Sequence, residues 1–272
     1  MPTVTVERNN TKFAIIGLDA QLDGCENIDR VERVFYQGDC LAASGQFARE
    51  FDFSSLCEAS ILRVLTANKL VPGEVAVIIL TDRNEQIIGA EKAYLSCCTK
   101  TNLTDVLRHA DKLITTQHIP VLIVAAHLQA PENTETGKAT ISFDQNFVGY
   151  GAINGVVSVL LSSTDFATRH KSYIYANIKS FAAGSNIEQA VKTALIDADL
   201  TAGQITALEV SALADPTESS RESNALLKAY ESEKRLDTAI SSARSVAGEC
   251  GPLSVLLGLL NSVFALQQRY VS

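Results

Sequence analysis

The chain lacks most of the features that mark the commoner ligand classes. Its 272 residues contain no cluster of Lys and Arg, and the net charge is -8. An acidic surface repels polyanions, which argues against nucleic acid and anionic membrane faces as partners. KSYIYANIK is only flanked by Lys, and the acidity itself reads as solubility. The opening MPTVTVERNN has no apolar region and is no secretory signal. The most apolar stretch, Leu253 to Leu266, is interrupted by Ser254, Asn261 and Ser262. It is too short to enter and span a bilayer, so it reads as a buried core helix. The six cysteines (25, 40, 57, 97, 98 and 250) show neither CxxC spacing nor a Cys/His pattern. Adjacent Cys97 and Cys98 are poorly placed to hold one ion, so no metal is expected and the thiols read as reduced and cytoplasmic. Gly149, Gly151 and Gly155 do not make GxGxxG, and no GxSxG elbow is present. No cofactor is expected.

What is there is aliphatic and periodic. Hydrophobic residues make up 46% and aromatics 6%, which suits one large α/β domain with a sizeable core. Phe13 to Leu18 reads as a buried strand ended by a Gly-containing turn. Asn27 caps a helix whose apolar face carries Ile28, Val31, Val34 and Phe35. A second helix covers Ser54 to Asn68, and Pro72-Gly73 turns the chain into strand Val75 to Leu80. Glu91 to Cys98 reads as a further strand, followed by helix Leu103 to Thr116 with Asn102 and Asp105 at capping distance. Val121 to Ala126 is an uninterrupted apolar run, typical of a sheet covered on both faces. Thr140 to Phe143 and Val156 to Ser162 read as paired strands around a Gly-rich segment.

After Arg169-His170-Lys171 the pattern restarts. Strand Tyr173 to Ile178 leads to helix Ile187 to Ala198, strand Ile205 to Val210 to helix Glu218 to Glu233, and strand Thr238 to Ala243 to helix Pro252 to Gln268. Pro252 sits at a helix first turn. Strands alternating with helices imply a largely parallel α/β sheet.

Residues 241–270, SSARSVAGECGPLSVLLGLLNSVFALQQRY, resemble the β-ketoacyl synthase signature. That signature reads Lys-Ser-Asn-x-Gly-His, a small-residue run, Gly-Leu-x-Lys and an apolar helix ending Ala-Leu-Gln. Arg244-Ser245, Gly248, Gly258-Leu259 and Ala265-Leu266-Gln267 fall in register, and Glu249 stands in the place of the catalytic His. LEVSALADPTESSRESNAL is similar to Glu-Ala-His-Gly-Thr-Gly-Thr followed by Glu-Ala-x-Ala-Leu. Glu209, Glu222, Ala225 and Leu226 match on both flanks, so Ser211 occupies the first catalytic His position and Ala212 to Asp215 replace Gly-Thr-Gly-Thr. FAIIGLDAQLDGCENIDRVERVFYQG resembles the family's opening strand and helix, with Leu22-Asp23 where Phe-Pro usually stands. FDQNFVGYGAING resembles Phe-Asp-x-x-x-Asp-Gly-Tyr-x-x-Gly-Glu-Gly, with Val148 and Asn154 replacing the two acidic residues.

The resemblance implies a Cys nucleophile at a strand-to-helix turn, where the helix N-terminus favours the thiolate and supplies amide donors. It also implies two His that stabilise an enolate, and a Lys. Counting back without gaps from the Leu103 helix and the Val121 strand puts Lys100 at the nucleophile, whereas a shift of two residues puts Cys98 there. Cys98 is then either a small half-buried apolar residue near a strand end or an acyl-accepting thiol activated by the helix terminus. His109, His118, His127 and His170 all precede the motifs of the second half and read as surface or loop residues. Glu249 would repel a developing enolate, Ser211 offers one weak hydrogen bond, and Arg244 lacks the tunable pKa of a Lys. An Arg244–Glu249 ion pair would quench the pocket.

The wording of these stretches, with ATISFDQNFVGYG and YIYANIKSFA, resembles the N-terminal ketosynthase-like region of the B subunits (PfaB) of bacterial polyunsaturated fatty-acid synthases. That resemblance implies an acyltransferase domain further along the subunit and a role in making long omega-3 fatty acids. Two departures stand out. The segment Leu41 to Phe53 is abbreviated, and the family continues beyond the last helix with two closing strands and a Gly-Phe-Gly-Gly-Thr-Asn turn. The second half thus reads as truncated, with natural sequence beyond Ser272 completing it and an exposed strand edge otherwise.

The expected fold is α/β and thiolase-like, with two related βαβαβ halves, residues 1–165 and 166–272, and mixed, mostly parallel sheets around a buried helix layer. The expected function is a catalytically degenerate scaffold, docking or dimerisation module for acyl transfer and chain elongation. Its partners would be acyl carrier protein domains, other synthase subunits and a second copy. The alternative is an acyl-thioester transferase or hydrolase using Cys98. A generic α/β binding module is disfavoured by two long ungapped motif matches.

Overall fold

Two aliphatic runs with no polar face can be satisfied only in a sheet covered on both sides. In the computed structural model they form β2 (Ala76–Leu80) and β4 (Val121–His127), paired in parallel with Ala76 opposite Val121. The structure describes residues 13–39, 41, 52–81, 94–128, 153–212, 215–230 and 238–268. The expected strand Thr140 to Phe143, most of the Gly-rich segment after it and the abbreviated segment before Phe53 lie outside the described residues.

Around this pair the sheet grows in both directions. β3 (Ser96–Lys100) lies parallel to β2 at one edge. β5 (Gly155–Ser163) runs antiparallel to β4, β1 (Phe13–Leu22) antiparallel to β5, and β6 (Ala176–Ile178) antiparallel to β1. The order is β3-β2-β4-β5-β1-β6. A second, two-stranded parallel sheet pairs β7 (Ala207–Glu209) with β8 (Ala239–Ser241). The sheets are therefore mixed. Among the described residues, parallel pairing is confined to β3-β2-β4 and β7–β8.

The period of two along each strand divides the core. Ala14, Ile16, Val77, Ile79, Leu122 and Val124 face α2 (Phe53–Ala67). Phe13, Ile15, Ile78, Leu80, Ile123 and Val159 face the layer of α1 (Ile28–Gln37), α3 (Leu103–Lys112) and α8 (Pro252–Gln268). The remaining α-helices among the described residues are α4 (Thr164–His170), α5 (Ile187–Asp197), α6 (Pro216–Ala229) and α7 (Ala243–Ala247).

The caps follow local chemistry. Asn27, Asp52 and Asn102 each accept a backbone N–H three residues on, and α1 ends at Gly38 in a left-handed conformation. Beyond Lys112 the α3 helix widens into a π turn, Leu113–Gln117, that ends at left-handed His118. No helix among the described residues is long and apolar enough to cross a membrane.

The structure moves several boundaries. β1 does not end at a Gly17 turn: it continues to Leu22, and the turn is at Gly24. Gly17 serves close approach instead, because a Cβ there would lie 2.5 Å from Asn68 Nδ2 and 2.9 Å from Val64 Cγ1 of the overlying helix segment. β3 begins at Ser96 and reaches Lys100, two residues further than expected. Helices α4 and α7 were not expected; at seven and five residues they are too short to show a period.

One buried polar cluster fastens α2 to the sheet. Asp19 of β1 accepts from Arg63 Nε at 3.0 Å, Arg63 Nη2 at 2.8 Å and Ser60 Oγ at 2.6 Å, and Ser60 Oγ also meets Ser158 Oγ at 2.7 Å. The carboxylate is nearly dry, so this charge is carried by its fork-like Arg partner.

Candidate functional site

Two of the three expected site positions, Ser211 and Glu249, meet where β7 and β8 run out. Glu209, the last residue of β7, is largely buried. Its Oε2 accepts from Ser241 Oγ at 2.7 Å and Asn261 Nδ2 at 2.9 Å, and its Oε1 accepts the Ala243 N–H. One carboxylate thus joins both strands to α8. Gly258 lets α8 come close, since a Cβ there would sit 3.3 Å from Glu209 Cγ. Burial pushes the Glu209 carboxyl above its ordinary range, against the pull of the three donors and Arg244.

Beyond β7 the backbone bends sharply. Ala212 has φ +44, a left-handed conformation at the position where the resemblance places glycine. The bend aims two successive amides at Glu222 of α6. Ser211 N–H donates to Oε1 at 2.8 Å and Ala212 N–H to Oε2 at 2.7 Å. A pair of amides that could cradle an anion is therefore already filled by the chain's own carboxylate.

Arg244, in the first turn of α7, closes the junction. Its Nη1 donates to the Ser211 carbonyl at 2.7 Å. Its other edge faces Glu249, with Nη2 to Oε1 at 3.4 Å and Nε 2.5 Å from Oε2. That closest approach is an ionic contact without hydrogen-bond alignment, for neither Nε nor Oε2 has an aligned partner. Ser254 Oγ lies 3.4 Å from Glu249 Oε1. The ion pair expected from the sequence is present, and it also reaches Ser211.

Lys100 and Cys98 belong to the six-stranded sheet. Both are on the edge strand β3, opposite Leu80 and Ile78, and the Lys100 carbonyl accepts from Thr81 N–H at 3.0 Å. Among the described residues no hydrogen bond or ion pair joins Lys100 to Ser211 or Glu249. Cys98 is half-buried against the core. Burial pushes its thiol above the ordinary value, with Lys100 pulling the other way, so little thiolate forms near neutrality. Cys57 and Cys250 are buried and pushed up to about 12, so neither forms appreciable thiolate near neutrality. Cys25, Cys57, Cys97, Cys98 and Cys250 are all free thiols.

The histidines divide. His118 and His170 are exposed, and His170 stacks on Phe166 at 4.0 Å. His109 and His127 are half-buried rather than superficial, with the Nε2 of each shielded from solvent. His109 lies in the second turn of α3; burial first, then Lys100 and Lys112, lower its pKa. No imidazole shares a hydrogen bond or ion pair with Ser211, Arg244 or Glu249 among the described residues. Sequence reasoning placed Glu222 in register but missed its role. The signal was there: an acidic residue one helix beyond a sharp loop is where loose amides find an acceptor.

Comparison with known proteins agrees with this architecture. Residues 166–272 match the family described as β-ketoacyl synthase, C-terminal domain. No curated protein matches the chain in sequence. Among solved structures it is similar to the oxazolomycin ketosynthase domain OzmH KS8 of Streptomyces albus JA3453, with TM-score 0.77 and 15% identity over 96% of this chain and 82% of that one. It is similar to ketosynthase twelve of the bacillaene polyketide synthase of Bacillus amyloliquefaciens, with TM-score 0.74 and 13% identity over 96% and 65%. It is similar also to the PfaC keto synthase–chain length factor, with TM-score 0.72 and 15% identity over 98% and 41%. The chain thus spans less than two thirds of the second and third of these relatives. It has the thiolase-like ketosynthase fold, a mixed α/β architecture, and its residues 166–272 are similar to a ketosynthase C-terminal domain.

Proposed function

We propose that this chain is a catalytically silent ketosynthase-like domain of a polyunsaturated fatty-acid synthase subunit of the PfaB kind. Its role is to hold partners in place for acyl transfer and chain elongation. The observation that carries the proposal is the Arg244 junction. The two positions where the resemblance places catalytic imidazoles hold Ser211 and Glu249, and one guanidinium ties them together. Enolate formation needs donors aimed at a developing negative charge. Here the local amides answer to Glu222, the cation answers to Glu249, and the carboxylate of Glu249 would oppose the charge. The degenerate equivalents of the catalytic set are Lys100, Ser211 and Glu249.

The partners follow from the same reading: acyl carrier protein domains, other subunits of the synthase, and a second copy of this chain. β3 supports the last, because it is an edge strand whose outer side has no partner strand among the described residues, and a strand pairing with its own copy gives a closed two-fold interface. Light scattering tests this, with a doubled mass expected; a monomer at high concentration would count against it. The domains 1–165 and 166–272 and a cytoplasmic location belong to the proposal too.

The decisive assay supplies a malonyl thioester to the polypeptide. Carbon dioxide release at background level is expected, and release above background would end the silent reading. Intact-mass analysis after incubation with an acyl thioester should show no adduct. An adduct abolished in Cys98→Ala would establish the alternative, an acyl transferase or thioester hydrolase working through that thiol.

A further inference from the structure

The guanidinium of Arg244 has two faces with different tasks. Its Nη1 end is bound to the Ser211 carbonyl at 2.7 Å, which fixes the plane of the group. Its Nε/Nη2 edge is the two-donor edge that matches a carboxylate, and Glu249 sits on that edge. The fit is poor. Nη2 to Oε1 is stretched to 3.4 Å, and Nε and Oε2 are in contact without alignment. Ser242 Oγ, two residues away and buried, is equally without a partner. The Glu249 side chain is 37% exposed whereas that of Arg244 is 13% exposed. The Glu249 side chain is thus the more exposed of the two overall, although its Oε2 is shielded where it meets Arg244.

The geometry points to a self-occupied carboxylate receptor: Arg244 is a preformed site for a small carboxylate, and Glu249 is the tethered competitor that fills it. This deepens the silent-domain reading and rests on it, for it states which ligand chemistry the junction refuses. A tethered carboxylate acts at the effective concentration set by its short link, so a free carboxylate of similar intrinsic affinity is displaced. Glutamine at position 249 keeps the length and one acceptor oxygen but gives up the charge, so the competition falls. No bond is made or broken in this exchange.

The test is titration of the full chain with malonate, by calorimetry, in wild type, Glu249→Gln and the double variant Arg244→Gln/Glu249→Gln. Wild type should show weak or no saturation, and Glu249→Gln should bind at least about tenfold more tightly. The double variant should lose that gain. Malonamide, which is uncharged, should not bind. Equal malonate affinity in wild type and Glu249→Gln would overturn the proposal. So would a gain that survives loss of Arg244, or inorganic phosphate binding in place of malonate. If Glu249→Gln is too unstable for calorimetry, Glu249→Ala read by its unfolding midpoint serves instead. Malonate should raise that midpoint above chloride of equal ionic strength, and no difference between the two salts would overturn the proposal. Failure of the silent-domain reading is recorded separately, by carbon dioxide release from the wild type.

Discussion

The six-stranded sheet and the β7–β8 unit obey different physics. Every residue of β2 and nearly every residue of β4 is buried, between two apolar helix layers. By contrast β7 and β8 have three residues each, none fully buried, and α5 has no buried residue at all. Burial of apolar surface at about 25 cal/mol per Å² is the main stabilisation of the first region, with the Asp19–Arg63–Ser60 cluster added to it. The second holds together through carboxylates: Glu209 links β7, β8 and α8, Glu222 links α6 to the loop, and Arg244 links that loop to Glu249. Ser211, Arg244 and Glu249, which meet in this region, stand at positions where the resemblance places other groups, whereas Glu209 and Glu222 match it.

The comparison breaks most easily in the core. Ile78→Ala removes a fully buried side chain from the central strand and should cost about 2–5 kcal/mol. Ile196→Ala on α5, where the side chain is 63% exposed, should stay within about 0.5 kcal/mol. Urea unfolding of the two variants measures both. Equal losses would mean that α5 is as deeply committed to the core as β2, and the contrast would be wrong.

The next effect tests the polar joints. Glu222→Ala leaves the Ser211 and Ala212 amides without their acceptor, and the second of these is buried. The expected loss is about 2–3 kcal/mol, with hydrogen exchange at those two amides accelerated. Glu222→Gln retains one carbonyl oxygen and should cost roughly half as much. Unchanged exchange in Glu222→Ala would show that the loop is held by something other than this carboxylate.

Much of this was legible before the structure, for reasons that differ by residue. Asn27, Asn102 and Pro252 declare their helix ends because a cap is local chemistry within four residues. β2 and β4 declare themselves because an unbroken aliphatic run leaves few alternatives. The Ser211 and Glu249 positions came from ungapped motif register, and the Arg244–Glu249 pair was expected as one that would quench the pocket. What stayed hidden depends on distant parts. Gly17 looked like a turn because nothing nearby reveals that Val64 and Asn68 press on it. The charge of Asp19 inside β1 makes sense only once Arg63 and Ser60 arrive from α2. The register at Lys100 and Cys98 could not be fixed, since β3 is a short edge strand whose alternation is weak.

Acidity sharpens the same contrast on a smaller scale. Glu209 is held above its ordinary value of 4.5, chiefly by burial. A carboxyl whose folded-state pKa is raised binds its proton more tightly when folded, so its contribution is fully present below 4.5 and is lost as pH rises through the folded-state value. Wild type should therefore gain stability relative to Glu209→Gln as pH falls through the range just above 4.5, and the difference should level off below it. Asp23 is also raised by burial but is common to both chains and cancels. A stability difference that does not change with pH would mean that Glu209 is as well solvated folded as unfolded.

The smallest effect is the most diagnostic of how the loop beyond β7 is made. Ala212 has φ +44, and its methyl group is buried. Holding an L residue in the left-handed region costs about 1–2 kcal/mol, which Ala212→Gly would relieve. Glycine also frees the unfolded chain, at about 0.4–1 kcal/mol, and gives up a buried methyl worth about 0.8 kcal/mol. These contributions nearly cancel, so the variant should unfold within about 0.5 kcal/mol of wild type. Its sign is informative: a gain would mean that backbone strain dominates at the joint. A loss would mean that a region so poor in buried side chains depends on even one methyl group. Ala212→Val gains no such cancellation, because a β-branched residue is less tolerant of positive φ than alanine. It should be clearly less stable than either, and a Val variant as stable as wild type would show that the loop relaxes out of the left-handed conformation and that its amides are not fixed on Glu222.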